Sequence, residues 1–194
     1  MTCIIGYIDK EQDKIFIGAD SAGVSSSSLS IRKDPKVFIR DGYIFGFTSS
    51  FRMGQLLMSK KLVLPKFKKI EGEGEPDLFL FMIDEFIPII RSFFKENGFS
   101  RIESNEESGG VFLVGFKNKL FKIEGDFQIC ENLVCYDACG CGAELALGCI
   151  SGIESLKQSF KISVEFIINK ALEVSEQWNS AVRGPFLIKS INIV

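Results

Sequence analysis

The second residue of the sequence, Thr2, combines a hydroxyl group with a backbone nitrogen that removal of Met1 would convert into a free α-amine. Nucleophile and amine would then belong to one residue. An α-amine has an ordinary pKa of about 7.7–8.0, so it can accept a proton at neutral pH. The sequence contains no histidine, the usual base for an activated hydroxyl or thiol. A nucleophilic Thr2 would therefore depend on its own amine as the base.

Two charged residues occupy positions from which they could assist Thr2. Asp20 ends the strand-like run 14–19, and Lys36 opens the run 36–40. An edge of a sheet could direct both side chains toward the start of the first strand. A buried lysine beside the α-amine would disfavour its protonation and would stabilise the threonine alkoxide. The aspartate would keep that lysine charged and oriented.

Apolar runs separated by turn residues predict antiparallel strands. Asp41 and Gly42 form a favoured two-residue turn between two of these runs, and the serine-rich segment 25–28 is interpreted as a loop. The predicted strands cover residues 2–8, 14–19, 36–40, 43–48, 111–116, 119–124, 127–131, 133–138 and 186–194.

Helical periodicity and capping residues predict four helices, at residues 51–62, 77–97, 143–150 and 163–178. Asp77 is a suitable N-cap for the second helix, Pro88 should kink or break it, and Gly98 should end it. The sequence GEGEP at 72–76 is predicted to be a polar connector.

The elements follow in the order strands, helices, strands, helices and strand. This segregation favours an α+β fold in which helices pack on antiparallel sheets. The length of 194 residues and the lack of a linker predict one domain, residues 1–194.

Composition argues against several classes of protein. The net charge of −2 and the scattered basic residues do not suit a nucleic-acid-binding protein. Charged residues and a proline interrupt the most apolar stretch, 78–94, so no membrane span is expected. The N-terminus lacks a secretory signal, which predicts a cytoplasmic protein whose six cysteines are reduced. There is no C-x-x-C motif, so the residues themselves predict no structural metal.

Several short motifs, taken in order, resemble proteasome β subunits and the bacterial ring-protease peptidase that pairs with an unfoldase. They lie at residues 2–6 (TCIIG), 18–21 (GADS), 34–37 (DPKV), 45–50 (FGFTSS), 111–125 (VFLVGFKNKLFKIEG) and 137–142 (DACGCG). Each motif is short, and their order along nearly the whole chain is the specific part of the resemblance. The resemblance implies an N-terminal nucleophile hydrolase with a four-layer αββα sandwich of two stacked antiparallel sheets.

The resemblance also implies roles for individual residues. Thr2 matches the nucleophile, Asp20 the buried aspartate and Lys36 the buried lysine, and the spacing between the last two equals that of the family. The backbone N–H of Ser50, or else of Ser49, matches the oxyanion donor, where the family prefers glycine.

Further matches lie near the end of the chain. Cys139 matches a serine that supports the α-amine, and Ser180 matches a second supporting serine. Backbone carbonyls of Glu176, Asn179 and Val182 match a site for a structural monovalent cation. No other cofactor is implied.

The activity implied is hydrolysis of peptide bonds through an acyl-enzyme, inside a self-compartmentalising protease. Its substrate would be a polypeptide, its assembly a homo-oligomeric ring, and its partner an ATP-dependent unfoldase. No nucleic acid and no membrane take part.

Two other interpretations remain open from the sequence. A non-catalytic subunit of the same fold, part of a ring or shell, would make Thr2, Asp20 and Lys36 vestigial. A nucleotide-binding module is suggested by the strand-like run 133–138 followed by Gly140-Cys141-Gly142, although Leu145 stands at the third glycine position of that fingerprint.

Overall fold

A computed structural model describes residues 2–67, 77–157 and 160–193. Met1 and the predicted connector at 72–76 lie outside the described residues. The strands are β1 (Ile4–Asp9), β2 (Lys14–Ala19), β3 (Ala22–Ser25), β4 (Ser28–Ile31), β5 (Val37–Arg40), β6 (Tyr43–Phe47), β7 (Arg101–Glu103), β8 (Glu106–Ser108), β9 (Phe112–Phe116), β10 (Lys119–Ile123), β11 (Ile129–Glu131), β12 (Tyr136–Cys139) and β13 (Leu187–Asn192). The helices are α1 (Phe51–Met58), α2 (Leu78–Phe81), α3 (Ile87–Glu96), α4 (Ala143–Lys157) and α5 (Val164–Trp178).

Two antiparallel sheets form the centre of the fold. One has four strands in the order β12-β1-β2-β13, and the other has five in the order β11-β10-β9-β6-β5. Every adjacent pair in both sheets is antiparallel. The nucleotide-binding interpretation is therefore wrong for this segment, because β12 pairs antiparallel with β1 whereas a dinucleotide fold needs a parallel sheet.

Three apolar clusters define the layers. The inner faces of the two sheets meet through Ile4, Ile17 and Leu113 among others. Helices α4 and α5 cover the outer face of the four-stranded sheet. Helices α1 to α3 cover the outer face of the five-stranded sheet, where most of the buried phenylalanines lie. The predicted αββα sandwich is confirmed.

Local signals fixed most of the elements. Asp41 and Gly42 have φ angles of 51° and 81°, as the predicted hairpin turn requires. Asp77 caps α2 by accepting a hydrogen bond from the Phe79 N–H. Before Pro88 the helix widens into a π-helical segment, Met82–Phe86, which separates α2 from α3. The helical backbone is continuous from Leu78 to Glu96, and the predicted kink or break at Pro88 stays a prediction.

Two short hairpins are absent from the sequence prediction. The serine-rich segment predicted as a loop forms the turn between β3 and β4. A second hairpin, β7 to β8, turns through Ser104 and Asn105. Among the described residues, no helix combines the length and apolar character that crossing a bilayer requires.

Candidate active site

A buried ion pair joins the two central sheets. Asp20 follows the last residue of β2, and Lys36 precedes β5. Lys36 Nζ lies 2.8 Å from Asp20 Oδ1, and the two side chains are 2% and 0% exposed. Burial lowers the pKa of Lys36 below its ordinary value, and the Asp20 carboxylate opposes that shift. The pair thus places a positive charge in a site almost closed to water.

The carboxylate of Asp20 is also tied to the N-terminal strand. Its Oδ1 accepts a hydrogen bond of 3.0 Å from the backbone N–H of Cys3, the residue after Thr2. Its Oδ2 accepts hydrogen bonds from Ala22 N at 3.0 Å and from Arg183 N at 3.3 Å. These bonds hold the ion pair in a fixed position next to the start of the chain.

Thr2 shares a pocket with Lys36. Thr2 is 3% exposed, and the hairpin register that pairs Ile4 with Ala19 brings it to the edge where Asp20 lies. A pocket of about 50 Å³ is lined by Thr2, Val24, Lys36, Phe47, Thr48, Ser49, Ser50 and Phe51. The structure therefore brings together the three residues that the sequence analysis selected first.

A tight turn faces Thr2 across this pocket. The Ser50 N–H donates to the Thr48 carbonyl at 2.7 Å, and Ser49 between them has a positive φ of 67°. The Ser50 hydroxyl caps α1 by accepting from Arg52 N at 3.1 Å. The predicted oxyanion donor at Ser50 is thus engaged within the turn. No acceptor among the described residues takes up the Ser49 N–H, so it is the unengaged one of the two donors considered.

The sulfur beside the Thr2 nitrogen belongs to Cys141, which corrects the prediction for Cys139. Thr2 N donates to Cys141 Sγ at 3.2 Å, and that sulfur also lies 3.4 Å from the Thr2 carbonyl oxygen. Cys139 is instead the last residue of β12, pairs with Ile4 and lies between the sheets. Burial raises the pKa of the Cys139 thiol well above its ordinary value.

Gly140 explains why the next cysteine reaches the site. Its φ of +98° turns the backbone sharply after β12, and a Cβ on this residue would lie 2.2 Å from the Thr2 carbonyl oxygen. The chain therefore passes closely over Thr2 and brings Cys141 back toward it. The glycines on either side of Cys141 could have indicated this register, because residues without a Cβ let the loop pass close to the backbone of the first strand.

Ser180 does not reach the Thr2 site, and its neighbour Asn179 makes the contacts there. Ser180 is an exposed turn residue that forms no side-chain hydrogen bond among the described residues. Asn179 instead donates from Nδ2 to the Cys141 carbonyl at 2.8 Å, and its Oδ1 lies 3.5 Å from Cys141 Sγ. The fully buried Ser175 was missed too: its hydroxyl lies 3.0 Å from the Gly142 carbonyl and steadies the same loop.

The carbonyl oxygens of Glu176, Asn179 and Val182, expected to bind a monovalent cation, do point to one place. That place is occupied by the side chain of Arg183. Arg183 Nη1 donates to the carbonyl oxygens of Glu176 and Asn179 at 3.2 Å each, and to that of Val182 at 2.6 Å. A metal ion and this guanidinium could not share the same three oxygens. The residues present therefore do not fit a metal at this position while Arg183 holds it.

A larger cavity opens on the other side of the Thr48–Ser50 turn. It has a volume of about 450 Å³ and is lined by Thr48, Ser49, Val111, Lys122, Glu124, Ala138, Cys139, Gly140 and Cys141. Lys122 Nζ lies 3.2 Å from Glu124 Oε1 and 3.7 Å from Asp137 Oδ2. Burial raises the pKa of the Asp137 carboxyl above its ordinary value. The turn facing Thr2 is thus bordered by space that an extended polypeptide could enter.

Comparison with solved structures places this geometry in a known fold. BPH from Thiobacillus denitrificans in complex with epoxomicin matches with a TM-score of 0.75 at 14% identity, over 100% of both chains. BPH from the same organism also matches in a second structure, with a TM-score of 0.74, over 100% of this chain and 99% of that one. Eukaryotic HslV from Trypanosoma brucei matches with a TM-score of 0.67 at 14% identity, over 98% and 99% of the two chains.

The chain has the HslV-type fold. The resemblance to proteasome β subunits and ring-protease peptidases is thereby confirmed at the level of the fold. No protein-family model and no curated protein sequence matches the chain. A shared fold establishes only how the backbone is arranged around the site. The chemistry that the site can perform depends on the side chains that this chain places there.

Proposed function

We propose that this protein is an N-terminal threonine peptidase, with Thr2 as the nucleophile once Met1 has been removed. The observation that carries the proposal is the shared pocket. Thr2 and the buried Lys36 line it together, and Asp20 binds both Lys36 Nζ and the N–H of the residue after Thr2. The HslV-type fold, which it shares with BPH solved in complex with epoxomicin, supports the same assignment.

The first step is attack on a peptide carbonyl. The free α-amine of Thr2, directly or through one water molecule, takes the proton from the Thr2 hydroxyl. The ammonium of Lys36 disfavours protonation of the amine and stabilises the alkoxide, while Asp20 fixes the position of that ammonium. The hydroxyl oxygen then forms a bond to the carbonyl carbon, and the carbonyl oxygen becomes the oxyanion.

The second step releases the two products in turn. The backbone N–H of Ser49, which no acceptor among the described residues takes up, stabilises the oxyanion. The protonated amine now acts as an acid and donates its proton to the leaving nitrogen. The peptide C–N bond breaks, and an ester to Thr2 remains. Water, deprotonated by the same amine, then attacks the ester carbonyl. The C–O bond to Thr2 breaks, and the Thr2 oxygen regains its proton from the ammonium as the acid product leaves. Cys141, hydrogen-bonded to the Thr2 nitrogen, orients the amine for both transfers.

The proposed substrate is a polypeptide, and the proposed assembly is a homo-oligomeric ring in the cytoplasm that receives substrate from an ATP-dependent unfoldase. Large apolar side chains remain exposed on the isolated chain, among them Leu133, Val63 and Trp178. Ring formation would cover apolar surface of this kind. Size-exclusion chromatography with light scattering would detect the ring, and a purely monomeric protein would contradict this part of the proposal.

Replacement of the nucleophile tests the activity. Thr2→Ala should abolish cleavage of a fluorogenic peptide while leaving the circular dichroism spectrum and melting temperature close to those of the wild type. Thr2→Ser keeps a hydroxyl on the same atom and is the matched control, which should retain activity. Cleavage that persists in a purified Thr2→Ala protein would refute the assignment.

One observation favours a second candidate, a non-catalytic subunit of the same fold. The Ser50 N–H is engaged by the Thr48 carbonyl and is therefore not free to bind an oxyanion. For that candidate, neither Thr2 variant would change any measured turnover, whether or not Met1 is removed. Intact mass spectrometry excludes the peptidase if Met1 is retained, because the peptidase requires loss of that methionine.

A further inference from the structure

A single side-chain nitrogen binds three backbone carbonyls at the C-terminal end of α5. The acceptors of Arg183 Nη1 are the carbonyl oxygens of Glu176, Asn179 and Val182, at 2.6–3.2 Å. These are the carbonyls that the family resemblance assigns to a monovalent cation. We propose that the guanidinium of Arg183 replaces that cation, so that the protein carries its own positive charge where a metal ion would bind.

The electrostatics of the position suit a permanent cation. The last carbonyls of a helix lack intrahelical partners and form the negative end of the helix dipole. A guanidinium keeps its charge at every pH that a folded protein tolerates and provides several N–H donors. The neighbouring Glu176 carboxylate accepts a hydrogen bond of 3.0 Å at Oε1 from Gly184 N, and among the described residues Arg183 forms no ion pair within 4.0 Å. Carbonyl dipoles therefore bind the charge, as they would bind a metal ion.

The third carbonyl distinguishes this arrangement from an ordinary helix cap. Glu176 lies in the last turn of α5 and Asn179 is its C-cap, but Val182 lies beyond the helix in the segment leading to β13. Its carbonyl belongs to the peptide group that joins Val182 to Arg183, and the Arg183 side chain folds back onto it in the shortest of the three contacts, at 2.6 Å. Oxygens from the helix end and from the turn after it thus surround one positive centre, as they do around a bound cation.

The backbone of Arg183 connects this centre to the ion pair near Thr2. Its N–H donates to Asp20 Oδ2 at 3.3 Å, and its carbonyl accepts from Ser21 N at 2.8 Å. The guanidinium thus fixes the segment after α5, and this segment in turn fixes one oxygen of Asp20. Arg183 is therefore a positioning residue, without contact to the reacting atoms.

The wild-type protein provides the first test. Its melting temperature should be the same in KCl, NaCl and choline chloride at about 0.1 M, where charge screening is equal. Choline is too large to occupy a three-carbonyl site, so a specific ion site would appear as stabilisation by K⁺ or Na⁺ over choline. Such stabilisation in the wild type would overturn the proposal.

Removal of the guanidinium provides the second test. Arg183→Ala should lower the melting temperature in choline chloride by about 4–8 °C, because charged hydrogen bonds to three carbonyls are lost. KCl, NaCl or methylguanidinium should restore part of that loss. Arg101→Ala is the matched control, because the Arg101 side chain is 76% exposed and pairs with Glu103 in a surface hairpin. It should change neither the melting temperature nor its response to the salt.

Two results with Arg183→Ala would contradict the proposal: no loss of stability, or a loss that K⁺, Na⁺ and methylguanidinium all fail to reverse. If this variant does not fold, Arg183→Lys replaces it. Its ammonium keeps the charge, so it should melt independently of the cation, and a K⁺-stabilised Arg183→Lys protein would refute the idea. The proposal also predicts that peptide turnover does not depend on K⁺, and this prediction rests on the proposed function. The melting measurements do not require any activity. The two proposals can therefore fail separately.

Discussion

Lys36 Nζ lies 2.8 Å from Asp20 Oδ1 across the two sheets, with both side chains closed to solvent. The ion pair forms between the end of β2 and the start of β5, and Asp20 also binds the backbone next to Thr2. A buried pair of this kind contributes little net stability, because desolvating both charges offsets their attraction. The pair therefore matters to the protein mainly through the position at which it holds the lysine charge.

Lys36→Met should remove activity and lower the free energy of unfolding together. The variant leaves the Asp20 carboxylate buried without its cation, which costs about 3–5 kcal/mol. Turnover should fall by at least about 100-fold, since both the amine and the alkoxide lose the neighbouring charge. Urea unfolding and peptide hydrolysis measure the two effects.

The double variant Asp20→Asn/Lys36→Met separates the two effects. It should recover part of the stability, because no buried charge is left unpaired, but none of the activity. Lys119→Met is the control: Lys119 pairs with Glu131 at 2.8 Å, and the two side chains are 31% and 34% exposed. Its loss should cost no more than about 1 kcal/mol. Activity in the double variant would show that the pair serves stability alone.

Gly140→Ala should disturb Thr2 directly. The new Cβ would lie 2.2 Å from the Thr2 carbonyl oxygen, at a φ of +98° that side chains rarely adopt. We expect a loss of about 1–3 kcal/mol in the free energy of unfolding and a large fall in turnover. Gly148→Ala in α4 is the control, since a Cβ there has nothing within 4 Å. It should stabilise the helix by about 0.5–1 kcal/mol. Equal effects of the two changes would contradict the described backbone geometry.

The two cysteines near the site should respond differently to replacement. Cys141→Ala removes the hydrogen-bonding partner of the Thr2 nitrogen, so kcat should fall about tenfold and the acidic limb of its pH profile should move. Cys141→Ser keeps a hydrogen-bonding group and should retain activity. Cys139→Ser buries a hydroxyl in the apolar layer between the sheets and should cost about 1–3 kcal/mol of stability without moving the pH profile. An unchanged profile in Cys141→Ala would remove that residue from the mechanism.

Cys3 should make the fold sensitive to alkaline pH. Burial raises the pKa of its thiol from 9.0 to about 12, so the folded state keeps a proton that the unfolded chain releases. That contribution is fully present below pH 9.0 and is lost as the pH rises toward 12, by about 1.4 kcal/mol per unit. The buried Lys36, whose pKa is lowered from its ordinary value of 10.5, changes stability in the opposite direction only below about pH 10.5.

A comparison with Cys3→Ala isolates the thiol. Urea unfolding of both proteins at about pH 8.5 and 10.5 should show a smaller loss of stability in the variant, by roughly 2 kcal/mol. Parallel pH dependence in the two proteins would mean that Cys3 does not titrate as its burial requires.

Strong local signals explain which parts of this fold could be predicted. The β1–β2 and β5–β6 hairpins are specified by apolar runs and by turns such as Asp41-Gly42, and strand ends bring Thr2, Asp20 and Lys36 to one edge. The Ser104-Asn105 turn was missed because its short flanking strands are polar and exposed. Their hydrophobic pattern carried no strand signal.

The finer errors at the site come from backbone geometry that sequence spacing does not reveal. One residue with a positive φ, Gly140, determines that Cys141 rather than Cys139 reaches Thr2. The end of α5 determines that Asn179 rather than Ser180 faces the site. The Arg183 side chain contacts three carbonyls because of the path that the backbone takes after α5. No local sequence pattern predicts that path.

Covalent labelling of Thr2 tests the central claim most directly. The protein should be treated with an epoxyketone that reacts with N-terminal threonine, and the intact mass and the modified residue should be determined by mass spectrometry. We predict a protein that has lost Met1 and carries one adduct, on Thr2, with no adduct in Thr2→Ala. An unlabelled protein that has already lost Met1, or equal labelling of Thr2→Ala, would contradict the account.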